Sequence, residues 1–201
     1  MFRRTGQLAA ACIGIVAANA ASALSGHMQG NVYVSPGSDI SCKVANYDLG
    51  EVRVKDRFDK FAGTITFLDF FNITRVDFER FGETDDMSSY SASQLEHGYA
   101  TYFDSALVPL VRSGIKDASV VYQRFDSDTK PIYISVMRLP LKGGDSVRGA
   151  IEYTDGQAMY VVSVTHPMRP ELGLTLEREI DDVINDTRKA FESCQLQAHG
   201  L

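Results

Sequence analysis

Two kinds of side chain in this sequence could move protons, and both are few enough to weigh one by one. Of the four histidines, His27 stands in a Gly- and Ser-rich stretch near the start and His199 in the C-terminal tail. Neither position would hold an imidazole rigidly. His97 lies in a helical segment beside Glu96, where a surface or packing role is expected. His166 follows the β-rich run Val161–Thr165 and precedes Pro167. A strand end is a common place for a general base, and an imidazole titrates where such a base is useful. The second kind is carboxylate. Asp77 and Glu79 alternate along one β-rich run and Asp69 closes its neighbour, so some of them could converge on one sheet face. Two carboxyls at suitable separation suffice for glycoside hydrolysis. A hydrolase using His166 or a carboxylate pair is therefore the enzymatic reading, and alternating charge on an exposed strand is the structural one.

Other chemistries lack their residues. No Gly-x-Ser-x-Gly turn is present to expose a serine nucleophile. Neither His-Glu-x-x-His nor Cys-x-x-Cys occurs, so no zinc site is expected. Asp126-Ser127-Asp128 opens like a calcium loop, but Lys130 stands where the next oxygen ligand belongs. Gly143-Gly144 reads as a turn. The sequence calls for no cofactor.

Cysteine usage depends on compartment. Arg3 and Arg4, the apolar run Leu8–Ala18 and the small residues Ala21-Ser22-Ala23 form the pattern of an export signal. The run is far shorter than the roughly 20 residues of a membrane span, so cleavage after Ala23 is expected, with Ala20 as the alternative. Cys12 would be removed with residues 1–23. Cys42 and Cys194 remain and are expected to pair, because exported proteins keep disulfides. Their spacing is unlike that of a redox-active pair. The expected location is the periplasm or the exterior.

Of the 201 residues, 178 follow Ala23, enough for one core. The chain carries a net −6, and loss of Arg3 and Arg4 leaves −8. Such a charge disfavours nucleic acid and anionic lipid. No later stretch is apolar enough to span a membrane. The expected organisation is a lead-in segment over 24–39, one domain over 40–197 and a tail over 198–201.

Within the domain, Ile40–Val44 reads as a strand. Thr64–Phe70 with Ile73–Arg80, Ala118–Phe125 with Ile132–Leu139, and Arg148–Thr154 with Gln157–Thr165 read as hairpins, the last around Asp155-Gly156. Short connections imply an antiparallel sheet. Two helices are expected. The first opens at Ser91 or Ser93 with a capping box to Gln94 or Glu96, and places Leu95, Tyr99, Tyr102, Phe103, Ala106, Leu107, Leu110 and Val111 on one stripe; Pro109 should bend or end it. The second carries Leu176, Ile180, Val183, Ile184, Thr187, Phe191 and Cys194 on one face. The fold class is α+β: a mainly antiparallel sheet of about six or seven strands with two principal helices. Ile132, Ile134 and Val136 alternate with Tyr133, Met137 and Leu139, so both sheet faces should be covered, by a helix each or by a helix and a partner subunit.

The closing segment Ala190-Phe191-Glu192-Ser193-Cys194-Gln195-Leu196, with this element order, resembles the PsbP-like and DcrB-like exported proteins, although the tryptophan often found early in those domains is absent. The resemblance implies an antiparallel sheet flanked by helices and an accessory role at a membrane complex. Phe67, Phe70, Phe71, Phe78 and Phe81 crowd one hairpin, and Phe70 and Phe71 at its turn are candidates for a contact surface. The leading expectation is a non-catalytic binding or accessory factor of the cell envelope, partnered by a protein or envelope component, with a homodimer also open. The alternatives are the hydrolase and a carrier of a small apolar ligand, with a cavity near Tyr99, Tyr102 and Phe103.

Overall fold

The computed structural model describes residues 25–36, 40–44, 52–58, 63–69, 74–81, 87–128, 130–156 and 158–196. Residues 1–23, read as an export signal, and the candidate contact pair Phe70 and Phe71 lie outside them.

The fold is α+β. Its centre is an antiparallel sheet of seven strands: β4 (Val52–Phe58), β5 (Gly63–Asp69), β6 (Thr74–Phe81), β7 (Ser119–Asp126), β8 (Ile132–Leu141), β9 (Gly144–Thr154) and β10 (Met159–Pro167). The spatial order β4-β5-β6-β10-β9-β8-β7 shows two meanders joined where β6 meets β10. All three expected hairpins form, and Gly156 supplies the positive φ of 97° for the last of them. β4 is an edge strand that the sequence does not announce. Its Arg53, Lys55 and Arg57 are exposed, and such charges discourage edge-to-edge pairing.

A smaller antiparallel sheet holds β1 (His27–Gln29), β2 (Val32–Val34), β3 (Ile40–Lys43) and β11 (Cys194–Leu196) in the order β1-β2-β3-β11. Residues 27–34 of the expected lead-in are thus a hairpin of the domain, with Tyr33 buried against the Phe67 ring and donating to Asp56 Oδ2 at 2.6 Å. Cys194 stands directly opposite Cys42 in the β11–β3 register, and the two form a disulfide. Cys194 is not on the helix face as its spacing suggests: the helix ends at Ser193 and the chain turns extended at Cys194.

That helix, α3 (Leu176–Ser193), starts at Thr175, whose side chain accepts from Arg178 N, and packs on β9 and β10. It sits close because Gly149 has no side chain there; a Cβ would lie 3.1 Å from the Val183 carbonyl and press on the Thr187 hydroxyl. Together α3 and the small sheet cover the back of the main sheet, over Ile65, Phe78, Ile134, Val136, Ile151, Tyr153, Val162 and Val164.

The front is covered by one continuous helical run. α1 (Ala92–Tyr102) opens at Ser91 with the expected reciprocal capping box to Gln94 and passes through a π-turn over Phe103–Leu107 into α2 (Val108–Gly114). Pro109 does not end the helix. It is the second residue of α2, just past the π-turn, whose widened ladder runs from Val108 N–H to the Phe103 carbonyl. The extra residue rotates α2 relative to α1, so Val108 is buried while Leu110, expected on the inner stripe, is 69 % exposed. Leu95, Tyr99, Phe103 and Leu107 pack on Tyr133, Met137 and Leu139 of β8 and Met159 of β10. On the front the exposed residues Arg53, Lys55, Arg57 and Thr64 mark the far half of the sheet, over β4 and β5.

Candidate functional site

The front face changes character where the helical layer ends. Side chains two apart on a strand share a face, so Asp77 and Glu79 of β6 both point forward, as their spacing predicts. In register, Asp77 stands opposite Thr66 of β5 and Ser163 of β10, and Glu79 opposite Thr64 and Val161. Val161 in turn faces Glu152 of β9, which faces Tyr133 of β8. Glu79 and Glu152 therefore lie on one cross-strand row, about 10 Å apart at the backbone given the usual strand spacing. Arg148, four residues before Glu152 on the same face, bridges the gap. Its Nη2 donates to Ser163 Oγ at 3.1 Å and lies 3.6 Å from Glu79 Oε1. Asp77 is buried and accepts from Thr66 Oγ1 at 2.6 Å.

Glu152 is the unusual member. It is 0 % exposed, and among the described residues neither carboxyl oxygen has a hydrogen-bond partner. Burial pushes its pKa up to about 8; nearby Arg148 opposes the shift and Asp104 of the π-turn adds to it. At pH 7 the group is a neutral acid that can donate from its O–H and accept at its carbonyl. Tyr99 and Tyr102 of α1 close over it. Both phenols are pushed up to about 12, chiefly by burial, with the Glu152 carboxyl adding to each. Tyr102, half-buried at the end of α1, is also raised slightly by Glu79 and lowered by Arg148. The Tyr99 side chain is buried, and the Thr154 backbone beside its hydroxyl offsets part of the upward shift. The arrangement is a polar floor on β5, β6, β9 and β10, bounded by the tyrosine edge of α1, with one uncharged acid beneath that edge.

The other candidates fall elsewhere. Asp69, the last residue of β5, pairs in register with Val52 and Thr74 and is out of step with the row of Asp77. His166 lies on β10 in phase with Val162 and Val164, so it faces back toward α3, on the opposite face from Asp77, Glu79 and Glu152. It is buried, with Nδ1 3.2 Å from the Pro167 carbonyl and Nε2 unpartnered. Among the described residues His166 makes no hydrogen bond to a carboxylate. His97 is exposed on α1. Tyr99 and Phe103 are packed core residues, the Phe103 ring 5.9 Å from that of Tyr133, where an apolar carrier would need space. Asp126 accepts from Arg188 at 3.0 Å and from Asp128 N, a hairpin turn rather than a calcium loop. No grouping of three or more His, Cys, Asp or Glu suited to a metal ion occurs among the described residues.

Sequence reasoning missed Glu152 and Arg148. The signal was available: Val147, Gly149, Ile151 and Tyr153 supply one apolar face of a central strand, and an acid at the alternate positions of a strand covered on both sides has to be buried.

No family model matches this chain, and no curated protein matches it. Among solved structures, the crystal structure of a protein from Bacteroides thetaiotaomicron VPI-5482 superposes with a TM-score of 0.46 at 13% identity, over 87% of this chain and 51% of that one. The chain thus spans about half the length of that structure.

Proposed function

We propose that this protein is exported and acts in the cell envelope as a binding or accessory factor, with the uncovered half of the front sheet face as its contact surface. The observation that supports this most directly is the asymmetry of the sheet. The back is covered by α3 and the small sheet, whereas on the front, among the described residues, the helical layer packs over β8 and the start of β10, and Arg53, Lys55, Arg57 and Thr64 on β4 and β5 are exposed. A residue pattern of this kind offers hydrogen bonds in both directions over a rigid floor, which suits recognition. Export is supported by the arginine-led N-terminal pattern and by the Cys42–Cys194 disulfide, which persists in an oxidising compartment such as the periplasm or the exterior. Among the described residues no helix is long and apolar enough to cross a membrane. An accessory role would agree with the resemblance to PsbP-like and DcrB-like proteins.

Native mass spectrometry of the protein isolated from its own envelope tests this reading. The expected species begins at Leu24, has lost two hydrogens to the disulfide, and retains an envelope component that Glu79→Gln with Arg148→Ala releases. A bare chain under gentle conditions, together with turnover of a glycoside substrate, would overturn it.

One observation favours a second reading, a carboxylate-based hydrolase. Glu152 is neutral at pH 7 and shares a row with Glu79, so one could act as acid and the other as base. Burial of Glu152 beneath Tyr99 and Tyr102 weighs against this, because a general acid must reach its leaving group. Loss of turnover in Glu152→Gln with the fold intact would establish it.

A further inference from the structure

Resting on the binding reading above, we propose that the outer edge of β4 docks an acidic, extended segment of a partner protein, which adds to the seven-stranded sheet as a further strand and sets alternate carboxylates against Arg53, Lys55 and Arg57. The open edge and its row of cations carry this together.

β4 is the terminal strand of the main sheet: among the described residues it pairs with β5 on one side and with no strand on the other. A terminal strand presents a row of backbone N–H and C=O groups along its outer edge, and an extended peptide is the ligand that satisfies both. The template is held in place from behind. Val54 packs against the apolar cluster at the back of the sheet, Asp56 accepts from the Tyr33 hydroxyl and the Gly26 N–H, and Phe58 is buried. A strand anchored in this way loses little freedom when another joins it.

The forward side chains choose the partner. Arg53, Lys55 and Arg57 alternate along β4, so all three share the front face, and all three are exposed. Thr64, opposite Arg57 on β5, is exposed as well, so among the described residues no layer stands over this end of the row. Three cations in line stand out in a chain of net −6. They reject a second copy, because any pairing of two β4 edges that keeps both fronts on one side sets cation opposite cation. An acidic strand meets the opposite case. Residues facing each other across two strands point the same way with their Cβ atoms about 5 Å apart. Carboxylates on every second residue repeat at about 7 Å, as the three cations do. A phosphate polymer or a lipid headgroup would use the charges and leave the backbone edge unanswered.

The test uses the oxidised full chain and the acetylated, amidated peptide Thr-Glu-Val-Glu-Val-Glu-Thr, read by isothermal titration and by amide hydrogen exchange. The peptide should bind, less tightly as salt is raised, and should slow exchange across Val52–Phe58. An isomer with its acids contiguous, Thr-Val-Glu-Glu-Glu-Val-Thr, should bind more weakly, and the lysine counterpart Thr-Lys-Val-Lys-Val-Lys-Thr should not bind. Lys55→Gln with Arg57→Gln should weaken the acidic peptide about tenfold. Lys55→Glu with Arg57→Glu should abolish its binding and admit the lysine counterpart in its place, an exchange of partners that a misfolded chain would not show. Near-ultraviolet circular dichroism reports that each variant is folded. Absence of binding by the acidic peptide, binding that leaves exchange over Val52–Phe58 unchanged, or binding that survives the charge reversal overturns the proposal. So does a preference for polyphosphate or phosphatidylglycerol vesicles over the peptide, which would assign the cations to a phosphate ligand. If the peptide fails and native mass spectrometry still retains an envelope component, the added strand falls and the binding reading stands. If nothing is retained and no probe binds, both fall.

Discussion

Between its ordinary value of 4.5 and the value of about 8 that burial imposes, Glu152 keeps its proton in the folded chain and releases it in the unfolded one. The folded state then binds more protons than the unfolded state, so stability falls as pH rises through this window. Below it both states are protonated and the group costs nothing through ionisation; above it both are ionised and the full penalty, at most about 5 kcal/mol, is in place. Around the carboxyl stand Arg148 on its own strand, Asp104, Tyr99 and Tyr102 on the helical run, Tyr133 on β8 and Glu79 across the floor. The two α1 phenols, pushed up to about 12, remain neutral throughout, and a guanidinium remains charged. Glu152→Gln should therefore melt close to the wild type near pH 4.5 and progressively higher than it as pH approaches 8, with the gap constant beyond. A gap independent of pH would show that Glu152 holds no proton at neutrality. Alternation along β6 made the forward pairing of Asp77 and Glu79 legible in the sequence. It could not reveal that α1 seals Glu152, because depth belongs to the partner layer and not to the strand.

At the scale of elements, local signals are legible in the sequence and helical phase is not. The capping box at Ser91 and the three hairpins arise from side chains a few residues apart, and all are present. An inner stripe extended along the front helix at 3.6 residues per turn runs through Leu110, but the π-turn at Phe103–Leu107 inserts a residue and carries Leu110 to the surface. Leu110→Ser should consequently change the unfolding free energy by no more than about 0.5 kcal/mol, whereas Leu107→Ala, on the same helical run but inside, should cost about 2–5 kcal/mol. Equal costs in denaturant titration would mean that the stripe continues without the slip. The back face has its own sensitive point. Gly149→Ala sets a Cβ against the Val183 carbonyl and the Thr187 hydroxyl, so α3 must lift from β9, and a loss of about 1–3 kcal/mol is expected. Unchanged stability would show that α3 has slack there.

For the whole molecule, the chain order alone could not place β10 beside β6, since that contact joins two meanders across the entire front helical run and leaves no local trace. Nor did it reveal that the N-terminal hairpin and the last three residues of the described chain would build a second sheet. The disulfide was legible because removal of residues 1–23 as an export signal would leave two cysteines, and its position explains why it matters. Cys42 and Cys194 are 152 residues apart, and their bond ties β3 to β11 around nearly the whole main sheet. Closing a loop of that length removes configurational freedom from the unfolded chain worth about 5 kcal/mol at most. The native contacts around it, the β11–β3 pairing and the packing of Tyr33 and Ile40 on the sheet, remain when the bond is opened. Reduction, or Cys42→Ala with Cys194→Ala, should accordingly leave the folded spectrum unchanged and lower Tm by about 10–20 °C, the shift that such a free energy produces in a domain of this size. It should also steepen the denaturant dependence, because an unlinked unfolded chain exposes more surface. A reduced protein that melts at the oxidised temperature would mean that the unfolded ends already stay together through residual pairing, so the bond would have no freedom left to remove.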